Sequence, residues 1–190
     1  GLGDVYKRQI PRPDASADAV LLMGPLYSIT EYDERILAIR ESGRLLKWGG
    51  HLFSAALTPY SVLVSRLAVY RAEDIPKRRE LDDPAVMGII ERALADGCYI
   101  NPEKKIANGI GSSHLHTAKA LREELTAGGF STTAVHGIMG GAWLAPNLNE
   151  RLNDPETRAT LLKTVRLLDG HEEIIGLSGH LLAVSEKTFS

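Results

Sequence analysis

An α/β layered domain is the fold class this sequence predicts, and three observations predict it. Short apolar runs bounded by turn formers alternate with longer runs of helical period. The clearest example is Asp18 to Gly50, DAVLLMGPLYSITEYDERILAIRESGRLLKWGG, which reads strand, loop, helix, and leads at once into a second apolar run, HLFSAAL, at residues 51–57. The composition suits a globular chain with a proper core: 190 residues, 44% hydrophobic and 24% charged.

The local chemistry justifies each element in turn. Ala19 to Met23 is a short apolar run that predicts a strand covered on both faces. Gly24-Pro25 ends it, because glycine frees the backbone and proline supplies no ladder donor. Thr30, with Asp33 three residues on, predicts a capping-box-like helix start. Glu31, Asp33 and Glu34 load the first turn, and Arg40, Arg44 and Lys47 load the end, as the helix dipole favours. Ile36, Ile39 and Leu46, with Leu37 beside them, form the apolar stripe, and Gly49-Gly50 predicts a left-handed stop. His51 to Leu57 is the next strand, closed by Pro59.

Further along, Ser61 to Ala72 predicts a helix with Val62, Leu63, Leu67 and Tyr70 as its apolar residues. Asp83 caps another, with Pro84 at its first position and Gly97 beyond its end; Val86, Met87, Ile90, Ala93 and Leu94 give its apolar face. Thr117 caps a helix running to about Thr126, stopped by Gly128-Gly129, and Thr132 to His136 is a β-branched strand. Gly137 to Pro146 is glycine-rich and contains Trp143; without a lysine it is no phosphate loop, and it reads as a close-approach connection or a pocket rim. Asp154-Pro155 starts a helix through about Leu168, followed by Gly170, and His180 to Ser185 is the last strand.

Several function classes are disfavoured. A net charge of −2 gives no basic surface for nucleic acid or anionic lipid, and the one dense basic run, Lys77-Arg78-Arg79, is followed by Glu80, Asp82 and Asp83. No apolar run is long enough to span a membrane. The single Cys98 excludes an internal disulfide, suits a reducing compartment such as the cytoplasm, and reads as a semi-buried apolar residue. His114 and His116 share a face of an extended segment but lack further ligands at a recognisable spacing, so no metal is expected. Gly111-Ser112-Ser113-His114 lacks the flanking glycines of a hydrolase nucleophile elbow.

Three pieces, in order, carry a resemblance: DAVLLMGPLYSIT at Asp18 to Thr30, RESGRLLKWGGHLFSAAL at Arg40 to Leu57, and LHTAKALREELTAGGF at Leu115 to Phe130. They resemble the class I S-adenosylmethionine-dependent methyltransferases: their fourth strand and its loop, the helix joined through Gly-Gly to the fifth strand, and a late helix entering the sixth. The likeness runs from about Asp14 to Lys187. The sequence departs from it at Ser28, where many relatives have histidine, and at Trp48, where many have proline. It also lacks the family's glycine-rich loop after a first strand and the acidic residue ending a second.

The resemblance implies a Rossmann-like methyltransferase sheet, N-terminally truncated, with an inserted helical segment at 59–116 that either forms a lid over the pocket or packs on the sheet, and a last strand lying antiparallel between its two predecessors. Residues 1–9, GLGDVYKRQ, read as a non-native leader, and 10–190 as the C-terminal part of one domain. It implies S-adenosylmethionine as cofactor, a small-molecule acceptor, and a cofactor contact at Met23, Gly24, Pro25, Leu26 and Tyr27. Tyr60 and His116 are the candidate catalytic side chains. This chain alone is expected to be an inactive fragment, prone to associate through an exposed strand edge. The competing reading is a non-catalytic Rossmann-like binding or interaction domain; a reductase of similar fold would also need a glycine-rich phosphate turn.

Overall fold

The computed structural model describes residues 10–67, 80–101, 111–169 and 171–188. The expectations for residues 1–9, Tyr70, the Lys77-Arg78-Arg79 run and Gly170 lie outside the described residues.

Four strands form the main sheet: β1 (Ala17–Met23), β2 (Leu46–Leu57), β5 (Phe130–Gly137) and β6 (His180–Lys187). Their order is β1-β2-β6-β5, with β1 parallel to β2 and β6 antiparallel to both neighbours. The last strand therefore lies between its two predecessors, as the resemblance implied. Between β2 and β5 come α3 (Pro59–Leu67), a single 3-10 turn at Glu80–Asp82, α4 (Pro84–Asp96), a two-stranded ladder of β3 (Cys98–Tyr99) and β4 (Ser113–His114), and α5 (Ala118–Ala127). A short α1 (Pro25–Ser28) and a long α2 (Tyr32–Leu45) join β1 to β2, while α6 (Leu148–Asn153) and α7 (Pro155–Asp169) precede β6. Among the described residues no helix is long and apolar enough to cross a membrane.

The caps at Asp83 and Thr117 are as expected: their side chains accept from Ala85 N at 2.8 Å and Ala120 N at 3.1 Å. The cap at Thr30 is not formed. Helix α2 starts at Tyr32 with Glu31 in the cap position, and no side chain bonds the open amides there. Arg35 Nη1 instead donates to the carbonyls of Ile29 at 3.2 Å and Thr30 at 2.7 Å, pinning the chain before the helix from the other side.

The Gly49-Gly50 stop is also corrected. Helix α2 ends at Leu45 and β2 begins at Leu46. The amides of Ala15 and Ser16 take the carbonyls of Arg44 and Leu45, so the helix end is satisfied without glycine. The β1–β2 register jumps from Ala17↔Leu46 to Ala19↔His51, and the two glycines lie in the resulting bulge. Leu46 is fully buried from the strand rather than the helix stripe, and Leu37 is 60% exposed.

One sheet face carries the core. Leu22, Leu52, Ala56, Leu181 and Ala183 meet Leu26, Ile36 and Ile39 from α1 and α2, and Leu121 and Leu125 from α5. The other face carries Leu21, Phe53 and Val184 in one row and Met23, Ala55 and Leu182 in the next. There Leu21 is 69% exposed and Met23 47%. The expectation that β1 is covered on both faces is therefore wrong: one face is packed by α1 and α2 while the other is open, and β2 is its one sheet neighbour among the described residues. A second, smaller core joins Val86, Ile90 and Ala93 of α4 to Tyr99 and Leu115, with Leu57, Val62 and Leu63 against it. Leu94 is 38% exposed and stands outside that face.

Candidate functional site

The carboxyl ends of the two parallel strands define the site, as in open α/β sheets generally. Met23 is paired with Ala55, so the loop that begins at Gly24 and the Leu57-Thr58 exit of β2 share one edge. Gly24 has φ 135°, a conformation that L side chains rarely adopt, and a Cβ built there would stand 3.8 Å from Tyr27 Oη. Its carbonyl accepts from the amides of Tyr27 and Ser28, and Pro25 O accepts from Ile29 N. Of the expected cofactor contacts, Gly24, Pro25 and Tyr27 lie together on this tight turn. Met23 turns to the open sheet face, and the Leu26 side chain is wholly within the core.

Tyr60 opens α3 on the same edge, but its ring lies against Gly176, where a Cβ would stand 2.9 Å from Cδ2. A cavity of about 240 Å3 lies beside it, with Leu57, Thr58, Val62, Tyr99, Met139 and Trp143 in its wall. Met139 and Trp143 fulfil the pocket-rim expectation for the glycine-rich segment. The Trp143 indole is fixed by donating to Leu177 O at 2.9 Å.

Behind the loop is a buried charged cluster. Arg35 on α2 and Glu124 on α5 are 2% and 6% exposed, and His116 is fully buried. Arg35 Nη2 donates to Glu124 Oε1 at 2.6 Å, and Nε lies 3.0 Å from Oε2. His116 Nε2 is 3.1 Å from Glu124 Oε2. Burial by itself would raise the Glu124 pKa; the hydrogen bonds from His116 and Arg35 outweigh it and hold the carboxyl at about 2. An ionised carboxylate has no proton to give, so Nε2–H of His116 donates, and Nδ1 is left with no hydrogen-bond partner among the described residues. His114 stands edge-on to His116, ring centroids 4.5 Å apart. Burial, then repulsion from His116 and Arg35, lowers its pKa to about 4. The turn into this segment requires glycine at 97: φ is +77°, and a Cβ would be 2.8 Å from His114 Cε1.

His114, His116 and Glu124 each bring a ligand atom within 4.8 Å of the others, which is the geometry of a possible metal site. The donor set fits a divalent ion poorly. Both carboxylate oxygens already accept from Arg35, whose charge is permanent, so an ion held there would face a guanidinium at close range.

Neither Arg35 nor Glu124 was singled out from the sequence, although a signal existed. Arg35 lies four residues before Ile39, and Glu124 three after Leu121, so each charge sits in register with a buried apolar stripe.

Comparison with solved structures gives the fold. An S-adenosylmethionine dependent methyltransferase from Mesorhizobium loti matches with TM-score 0.51 and 16% identity over 96% of this chain and 66% of that one. A protein assigned to the same activity from Listeria monocytogenes matches with TM-score 0.52 and 15% identity over 97% and 67%. The chain has the fold of class I S-adenosylmethionine-dependent methyltransferases. It spans 64% of a third such structure, from Methanosarcina mazei, to which it is 17% identical over 95% of its own length with TM-score 0.49. No protein-family model matches the sequence, and no curated protein matches it. The Gly24–Ser28 turn and the Thr58 exit both fall at the carboxyl end of the parallel strand pair.

Proposed function

We propose that this chain carries part of an S-adenosylmethionine-dependent methyltransferase acting on a small-molecule acceptor. The observation that supports the reading most is the antiparallel insertion of β6 between β2 and β5, with a glycine-initiated turn at the carboxyl end of β1. S-adenosylmethionine supplies a sulfonium-bound methyl group that is already activated, so alignment of the acceptor gives much of the rate. The Met23–Tyr27 turn would hold the methionine end: Gly24 permits close backbone approach, and the half-buried Tyr27 ring and hydroxyl can face a cation. The cavity of about 240 Å3 suits a small acceptor, and α3, which lines it through Ser61, Val62 and Ser65, would cover it. His116, fully buried, acts as an orienting group rather than a base in contact with the acceptor; Tyr60 is left as a rim residue.

By itself this chain binds the cofactor weakly and does not turn over. The glycine-rich loop that the sequence does contain, Gly137 to Pro146, follows β5 rather than a first strand, and β1 has a free edge among the described residues. The test is titration with S-adenosylhomocysteine, followed by calorimetry and by amide chemical shifts. Weak binding with shifts centred on Gly24–Tyr27 supports the reading; near-micromolar affinity or methyl transfer overturns the claim of weakness. Shifts absent from the turn overturn the cofactor site. That outcome favours a non-catalytic interaction domain, for which the open apolar sheet face is the supporting observation.

A further inference from the structure

We propose that Arg35, Glu124 and His116 are positioning residues for the Gly24–Thr30 loop, so that the geometry of the loop is set by α5, which is distant in sequence. The loop's importance rests on the methyltransferase reading; the positioning itself does not. Three features carry it. The guanidinium of Arg35 uses one edge on Glu124 and gives Nη1 to the carbonyls of Ile29 and Thr30. These carbonyls sit where the loop must stop turning and enter α2, a helix start that no side chain caps. Glu124 is held in turn by His116, whose backbone amide donates to Leu57 O at 2.7 Å, the last residue of β2. The chain of contacts therefore runs from the exit of β2, through His116, Glu124 and Arg35, to the far end of the turn after β1.

A hydrophobic pair of similar volume would fill the same space, and buried ion pairs are often replaceable that way without loss of stability. The polar cluster adds direction: a guanidinium binds carbonyls at fixed angles, which an apolar contact does not. The cluster thus fixes where the loop lies, beyond filling the space behind it.

The experiment is hydrogen exchange on the free chain, comparing the wild type, Glu124→Gln, and the double variant Arg35→Met with Glu124→Leu. The amides of Tyr27, Ser28 and Ile29 report the loop, and those of Met87 and Gly97, bonded to Asp83 and Ala93, report α4 as an internal control. The expected result is loop exchange roughly tenfold or more faster in the apolar pair, the scale of one lost charge-assisted hydrogen bond. Glu124→Gln, which keeps one acceptor oxygen for Arg35, falls between, and α4 does not change. Equal loop rates in all three proteins would overturn the proposal, as would loop and α4 rates rising together. If the apolar pair does not fold, Arg35→Lys replaces it: it keeps a charge for Glu124 but cannot span both partners, so wild-type loop rates there overturn the proposal. None of these readouts uses cofactor, so failure of S-adenosylhomocysteine to bind leaves this test standing.

Discussion

The two faces of the central sheet are built from similar residues and have opposite fates. On one, Leu22, Leu52 and Ala183 lie at 8% exposure or less beneath α2 and α5. On the other, Leu21 is 69% exposed and Met23 47%, with Phe53 and Val184 half-buried. The difference teaches that apolar content does not make a core; a core needs an element laid across it. At about 25 cal/mol per Å2, only the covered face returns the free energy that its composition promises.

The largest effect should come from the polar cluster inside the covered layer. Glu124→Ala leaves Arg35 buried without a countercharge and should cost about 3–5 kcal/mol in denaturant unfolding. A loss below about 1 kcal/mol would mean that the cluster is solvated in solution. Leu121→Ala, on the α5 surface facing the sheet, should cost about 2–5 kcal/mol, depending on how far the site collapses. Leu21→Ala on the open face should change stability by no more than about 0.5 kcal/mol. Similar costs at the two positions would show that something covers both faces.

Acid should loosen the covered layer in two steps. His114 titrates near 6.5 when unfolded and about 4 when folded, so between these values the unfolded chain binds more protons. The stability contributed by neutral His114 is whole above about pH 6.5 and is lost as pH falls to 4. Glu124 moves from 4.5 to about 2, so its contribution is whole above about pH 4.5 and is lost on the way to 2. The melting temperature should fall through both windows, and His114→Gln should flatten the upper one. A melting temperature that holds steady from pH 7 to 4 in the wild type would contradict the assignment.

The smallest effect on stability should have the largest effect on solution behaviour. Leu21→Lys, on an edge strand with an open face, should leave the melting temperature within a few degrees while reducing self-association in sedimentation. A wild-type chain that sediments as a single monomer would show that the open face does not drive association.

Much of the framework was legible in the residues. Asp83 and Thr117 cap the helices they were expected to cap, and the strands at His51, Thr132 and His180 were found within a few residues. These signals are local: a hydroxyl or carboxylate two or three residues from an open amide, or β-branched residues between turns. Local rules failed at two helix ends. Thr30 is not the cap, since α2 starts at Tyr32 with Glu31 in the cap position, and Gly49 did not stop the helix because the sequence-distant Ala15 and Ser16 ended it four residues earlier.

Of the candidate site, the turn at Gly24 could be read because glycine and proline announce it. The Arg35–Glu124 pairing could not: each charge sits in register with a buried stripe, but the two are 89 residues apart and no local signal says that they meet. The sequence by itself determined the strands and the longer helices, and where α4, α5 and α7 start, because those choices depend on hydrogen bonds and side-chain spacing within one or two turns. Tertiary structure alone decided which sheet face is buried and which charges meet beneath the loop. Both depend on contacts closed across long spans of chain, where the favourable energy appears only after the elements have come together.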